Sequence, residues 1–249
     1  MTGFLASVVS AAEADIALAG GADILDLKDP STGALGALPS ATIRDAVVQI
    51  AKRRIVSATA GDLPMEPVVL CNAVRRLSAL DVDIVKVGLF SGGDVNACIQ
   101  ALRHETARGV RLVAVMFADQ APDFSLIPRL RDAGFAGVML DTAGKSSGSL
   151  RTHLPQDMLA NFVQVVSDSG LMSGLAGSLR IEDVGPLAAL RPDYLGFRGG
   201  ICSDGRKSSL HPERLRAVRA AIDDANNHQR AASTATAAAG AQRAAHSVA

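Results

Sequence analysis

Repetition constrains this chain more than any other feature. Short apolar runs at residues 4–9, 22–28, 55–59, 84–89, 111–117, 137–140, 171–176 and 194–197 are separated by longer stretches, several of them amphipathic. Runs of that length read as strands, and intervening segments of about a dozen residues read as helices. Strand–helix–strand repeats make parallel sheets with right-handed crossovers, and eight of them fit a closed (β/α)8 TIM barrel, for which roughly 250 residues is the usual size. The chain has 249 residues. A doubly wound open sheet is the structural competitor. It is disfavoured because no GxGxxG follows the first run and polar residues end many of the runs instead of gathering at one crevice.

Local signals agree with this layout. Ser10 followed by Glu13 has the form of a helix-capping box, and Gly20-Gly21 ends that helix. Residues 40–52 carry Ile43, Ala46, Val47 and Ile50 on one helical side, and Pro212 suits the first turn of a last helix over 211–224. The barrel is therefore expected to be one domain over residues 1–225. Residues 226–249 are rich in Ala, Thr, Gln and Ser without apolar period, so a disordered or marginally helical low-complexity tail is expected there.

Composition excludes several functions. Lys+Arg and Asp+Glu balance at 25 each, with one Tyr and no Trp, so neither a polyanionic partner nor base stacking is favoured and no nucleic acid is expected. No apolar run approaches the roughly 20 residues of a membrane span, and the start lacks the basic region of a signal peptide. A cytoplasmic protein with no membrane association is expected. Cys71, Cys98 and Cys202 lie far apart and outside any CxxC spacing, as buried thiols of a reducing compartment would. The five histidines show no HxxxH pairing, and Asp62, Asp119 and Asp204 read as caps or loop residues, so no metal is expected.

The chemistry-bearing residues sit on the strands. In the run Ala22-Asp-Ile-Leu-Asp-Leu-Lys-Asp-Pro30, Asp26 and Lys28 share one face while Leu25 and Leu27 share the other. Lys86 and Lys145 follow at intervals of 58 and 59 residues, about two βα units each. A charged amine in an apolar run is costly unless it is paired or neutral, and the neutral amine is the form that attacks a carbonyl to give a Schiff base. Buried ion pairing is the inert alternative. Asp26 and Asp141 are placed to be proton carriers or lysine partners, whereas Asp83 falls at the strand entrance and reads as a solvated residue.

Barrels often hold phosphate with the loops after strands seven and eight. Here those loops contain Gly177-Ser178 and Arg198-Gly199-Gly200. Glycines let backbone N–H groups approach an anion, the Ser178 hydroxyl can donate, and Arg198 can supply a forked contact. Turn-forming glycines and an internally paired Arg198 are the bland alternative.

Six motifs lie in order along the chain: Gly20-Gly-Ala-Asp-Ile-Leu-Asp-Leu-Lys-Asp-Pro30, Val56-Ser-Ala-Thr59 with Gly61-Asp62, Ile84-Val-Lys-Val-Gly-Leu89, Met139-Leu-Asp-Thr-Ala143 with Lys145, Leu175-Ala-Gly-Ser-Leu179 and Arg198-Gly-Gly-Ile-Cys-Ser203. Together they resemble the (5-formylfuran-3-yl)methyl phosphate synthase family, also called 4-(hydroxymethyl)-2-furancarboxaldehyde-phosphate synthases, of methanofuran biosynthesis. The resemblance spans residues 4–220 and departs from the family pattern at Asp29 and just after Lys145. It implies a carbon–oxygen lyase that condenses two molecules of glyceraldehyde 3-phosphate with loss of phosphate and water. It further implies Lys28 as the Schiff-base lysine, with Lys86, Lys145, Asp26 and Asp141 as the other active-site groups and no cofactor. The expected partner is the triose phosphate alone, in a homo-oligomer. A class I aldolase acting on a phosphorylated sugar, or a non-catalytic barrel that binds a phosphorylated metabolite, are the alternative readings.

Overall fold

Period-two alternation sorts the strand side chains into two separate apolar clusters, and that sorting defines the architecture. The computed structural model describes residues 1–144 and 148–246. Strands β1 (Gly3–Val8), β2 (Ile24–Leu27), β3 (Ile55–Thr59), β4 (Ile84–Gly88), β5 (Leu112–Phe117), β6 (Gly137–Asp141), β7 (Met172–Leu175) and β8 (Tyr194–Phe197) pair in sequence order, all parallel, and β8 closes onto β1. Leu5, Ile24, Ile84, Val113, Val115, Phe117 and Met139 fill the barrel interior, while their neighbours Phe4, Leu25, Leu27, Val85 and Val87 face the helices. Each such buried side chain contributes roughly 1.5–3 kcal/mol. With so many of them in the outer layer, the interior can carry charged groups at one end.

The helical shell comprises α1 (Ala11–Ala19), α2 (Ser40–Ile50), α3 (Pro67–Ser78), α4 (Val95–Thr106), α5 (Ile127–Asp132), α6 (Leu150–His153), α7 (Gln156–Asp168), α8 (Val184–Ala188) and α9 (Pro212–His246). Ser10 caps α1 by accepting the Glu13 N–H, but the Glu13 carboxylate accepts from Val9 N instead of completing the box on Ser10. At the other end of α1, a Cβ on Gly20 would stand 2.8 Å from Leu215 Cβ, so only glycine lets α9 pack this closely. Helices α6 and α8 were not expected from the sequence. At four and five residues they are too short to show an apolar period.

A repeated device closes the bottom of the barrel. Asp23, Asp83 and Asp193 each immediately precede an even-numbered strand, and each accepts the N–H of a residue on the preceding strand, Phe4, Val56 and Ser173, at 2.7–2.8 Å. Asp83, read as merely solvated, therefore fastens strand starts at the end opposite the chemistry. Beyond residue 225 the barrel still has partners. Asn226 is buried and exchanges two hydrogen bonds with the backbone of Thr2, and Gln229 donates to Ala188 O. Helix α9 runs on through the alanine-rich stretch to His246. Among the described residues no helix is long and apolar enough to cross a membrane.

Candidate active site

Strand register assembles the first half of the site. Ser7, Asp26 and Ser57 are neighbours across β1, β2 and β3. Both hydroxyls donate to the Asp26 carboxylate, Ser7 at 3.0 Å and Ser57 at 2.7 Å, and Lys86 Nζ lies 2.7 Å from Asp26 Oδ1. Lys28 reaches across the mouth to Asp141 Oδ2 at 3.3 Å, and Asp141 Oδ1 accepts the Thr142 N–H. The pairing is thus crossed. Asp26 and Lys28 share a face but sit two residues apart along β2, roughly 6.6 Å, so each finds its partner on another strand.

All four groups are buried, and burial decides their chemistry. Desolvation pushes the Lys86 ammonium below its ordinary pKa; the Asp26 carboxylate opposes that shift and Lys28 adds to it. Lys86 is only 2% exposed and has Met139 Sδ 3.7 Å away, whereas Lys28 stands nearer the opening. These residues line a cavity of about 600 Å³ together with the β7 and β8 loops. That volume is ample for small phosphorylated substrates. Lys145, assigned to this site on sequence, lies outside the described residues. The loop leading to it is held by Asp119, whose two oxygens accept Ala143 N at 2.8 Å and Gly144 N at 2.6 Å.

The β7 and β8 loops line the same cavity. Gly177 has φ +110°, and a Cβ there would meet Thr142 Cγ2 at 2.9 Å; Ser178 follows with φ +50°. A Cβ on Gly200 would stand 2.5 Å from Leu179 O, so glycine is what lets the two loops touch. Among the described residues the N–H groups of Gly177, Ser178, Gly199 and Gly200 donate to no protein acceptor. Backbone N–H groups left without a protein acceptor beside a cavity suit an anion.

Arg198 differs from its expected role. Its Nη1 donates to Glu13 Oε2 and Ser7 O, Nη2 to Glu13 Oε1 and Ser208 O, and Nε to Arg206 O. All five donors of the guanidinium are thereby taken by the protein. Glu13 is the reason: an 8%-exposed carboxylate requires a cation, and Arg198 is the one that reaches it. Sequence reasoning missed Glu13 because its capping position already explained it. It also missed Ser7 and Ser57, whose inward register was the available signal, and Arg206, in a loop without any pattern.

Asp62 behaves like Asp119, accepting Ala34 N and Leu35 N from the β2 loop at 2.8 and 2.6 Å. Among the described residues no group of three or more His, Cys, Asp or Glu side chains comes together as metal ligands.

Comparison with known proteins gives this geometry a context. Phosphoribosyl anthranilate isomerase from Thermus thermophilus superposes with a TM-score of 0.65 at 17% identity, covering 90% of this chain and 99% of that one. Such a likeness shows the barrel alone. A Methylorubrum extorquens protein provisionally named as a (5-formylfuran-3-yl)methyl phosphate synthase is 41% identical over 212 residues, 85% of this chain and 87% of its own. The (5-formylfuran-3-yl)methyl phosphate synthase of Methanopyrus kandleri is 36% identical over 82% of this chain and 91% of its own, and that of Methanococcus maripaludis strain S2 is 33% identical over 82% and 92%. Residues 4–219 match the sequence profile of 4-HFC-P synthase, nearly the whole barrel, and the chain belongs to that family.

Proposed function

We propose that the chain condenses two molecules of glyceraldehyde 3-phosphate into (5-formylfuran-3-yl)methyl phosphate, for methanofuran biosynthesis, through an imine on Lys28. The observation that carries this reading is that two buried lysine–carboxylate pairs line one cavity together with glycine-rich loops whose backbone N–H groups have no protein acceptor among the described residues. The balance supports it as well. Two triose phosphates less one phosphoric acid and two waters give the furan aldehyde phosphate, so neither oxidant nor reductant is consumed.

In this mechanism the Lys28 amine adds to the aldehyde carbon, and loss of water leaves an iminium. The iminium withdraws electrons and acidifies the adjacent C–H. Asp141, 3.3 Å from the amine, is placed to carry protons through carbinolamine formation and the carbon–carbon step. Lys86, whose burial weakens its hold on a proton, serves the eliminations as a second proton carrier, oriented by Asp26 and its two serines. Lys28 is preferred over Lys86 as nucleophile because its amine stands nearer the opening.

Incubation with glyceraldehyde 3-phosphate, with furan absorbance and inorganic phosphate both followed, tests the reaction. A sugar phosphate formed without phosphate release supports the aldolase alternative instead. Borohydride reduction during turnover, followed by peptide mass mapping, tests the imine. An adduct on Lys28 is expected, and its absence from every lysine sinks the Schiff-base route.

A further inference from the structure

The buried and half-buried cations on the cavity wall fall into two kinds; Arg180 and Arg214, which also line it, are exposed. Lys28, Lys86 and Arg198 are each matched by a carboxylate, Asp141, Asp26 and Glu13 respectively. Arg206, on the same β8 loop as Arg198, is half-buried and lines the same cavity, yet no carboxylate among the described residues lies within ion-pair distance of it. Its Nη2 donates to Pro30 O and to Gly33 O, on the loop that follows Lys28. Its Nε and Nη1 donate to no protein acceptor among the described residues.

A partly buried guanidinium without a counter-ion is unfavourable, and here burial lowers its proton affinity, with Asp141 and Asp62 opposing at longer range. The placement is nevertheless built. Arg206 O accepts from the saturated Arg198, which fixes the main chain of the loop, and a Cβ on Gly199 would be only 3.8 Å from Arg206, so its backbone passes directly over the glycine turn. A side chain lining the cavity, near both the glycine turn and the lysine strand, thus keeps three N–H donors of a planar fork without a protein acceptor among the described residues. That is the donor pattern that recognises a phosphate group.

We propose that Arg206, and not Arg198, is the side chain that binds the phosphate of the triose phosphate and sets the preference for a phosphorylated over an unphosphorylated aldehyde. The assignment deepens the proposed reaction and rests on it for the identity of the substrate. Arg198 is the positioning residue that holds the loop from which Arg206 reaches.

Two measurements on the full chain test this. In the first, calorimetric titration with inorganic phosphate compares the unmodified protein with Arg206→Gln and Arg206→Lys. Binding should weaken roughly 10- to 100-fold in the glutamine variant and less in the lysine variant, as for loss of charge-assisted hydrogen bonds. Equal binding by the unmodified and glutamine proteins, or no binding by the unmodified protein, overturns the assignment. In the second, borohydride trapping is run with glyceraldehyde 3-phosphate and with glyceraldehyde. Arg206→Gln should raise the half-maximal concentration of the phosphorylated aldehyde by a similar factor and leave that of glyceraldehyde unchanged. A purely structural clamp on the β2 loop would impair both aldehydes alike, and that result also overturns the proposal. If phosphate binding depends on Arg206 but the unmodified protein traps neither aldehyde, the imine reading fails while Arg206 keeps its phosphate.

Discussion

Asp26→Asn isolates the electrostatics of the site. The substitution keeps the shape and one acceptor for the serines but removes the carboxylate 2.7 Å from Lys86, in a pair whose side chains are 3% and 1% exposed. Breaking a buried pair by removing one partner costs about 3–5 kcal/mol. Lys86 can escape part of that cost by losing its proton. Against its ordinary value of 10.5, deprotonation costs about 1.4 kcal/mol per pH unit, so the loss is capped at about 5 kcal/mol at pH 7 and about 2 kcal/mol at pH 9. The sign follows from linkage. A lysine whose folded pKa is depressed binds fewer protons folded than unfolded between its two values, so stability rises with pH across that window. At roughly 2–4 °C per kcal/mol for a chain of this size, the melting temperature should fall by about 6–20 °C at pH 7 and by no more than about 4–8 °C at pH 9. Differential scanning calorimetry from pH 7 to 9 measures this directly. A deficit that stays constant or grows with pH would refute the reasoning. So would failure of the added substitution Lys86→Met to restore stability to within about 2 kcal/mol, since removing both charges leaves none uncompensated.

Further outcomes follow from the same geometry. Lys28→Met should abolish the borohydride adduct, whereas Lys86→Met should keep it and lose roughly 10²–10⁴ in turnover as a missing proton carrier; steady-state kinetics with mass mapping separates the two. Gly177→Ala puts a Cβ 2.9 Å from Thr142 Cγ2 at φ +110°, so it should cost about 1–3 kcal/mol in urea unfolding and weaken inorganic phosphate binding. Arg198→Met leaves Glu13 buried and unpaired and should destabilise by about 3–5 kcal/mol, with Glu13→Gln recovering much of the loss in the same assay. Burial alone would raise the Asp119 carboxyl, but the N–H groups of Ala143 and Gly144 outweigh it and hold the pKa below 3.8. Its stabilisation is therefore complete above 3.8 and is lost as pH falls through the lower folded value. Asp119→Asn should speed amide exchange at Ala143 and Gly144 at neutral pH and remove that acid dependence.

The barrel was legible because each part of its signal is local. A four-residue strand such as β2 declares both faces in its own alternation, Leu25 and Leu27 against Ile24 and Asp26, with Lys28 just beyond continuing the second face, and eight such strands separated by helix-length segments leave little choice of topology. The same locality limited the reading of the site. Asp26 and Asp141 were found as candidate partners, but which lysine each takes depends on the stagger between strands, which the alternation of one strand does not encode. The short helices α6 and α8 left no periodic trace for a related reason.

By itself, then, the sequence determined which side chains face inward at the catalytic end of the strands, since inward direction follows from the two-residue period of the chain. Only the tertiary structure decided how the charges among them are matched. Glu13, at the start of the first helix, claims Arg198 from the last loop, 185 residues away, and that pairing leaves Arg206 to face the cavity. The physical reason is that a buried charge is satisfied by whatever the fold brings within about 3 Å of it, and barrel closure brings the two ends of the chain together.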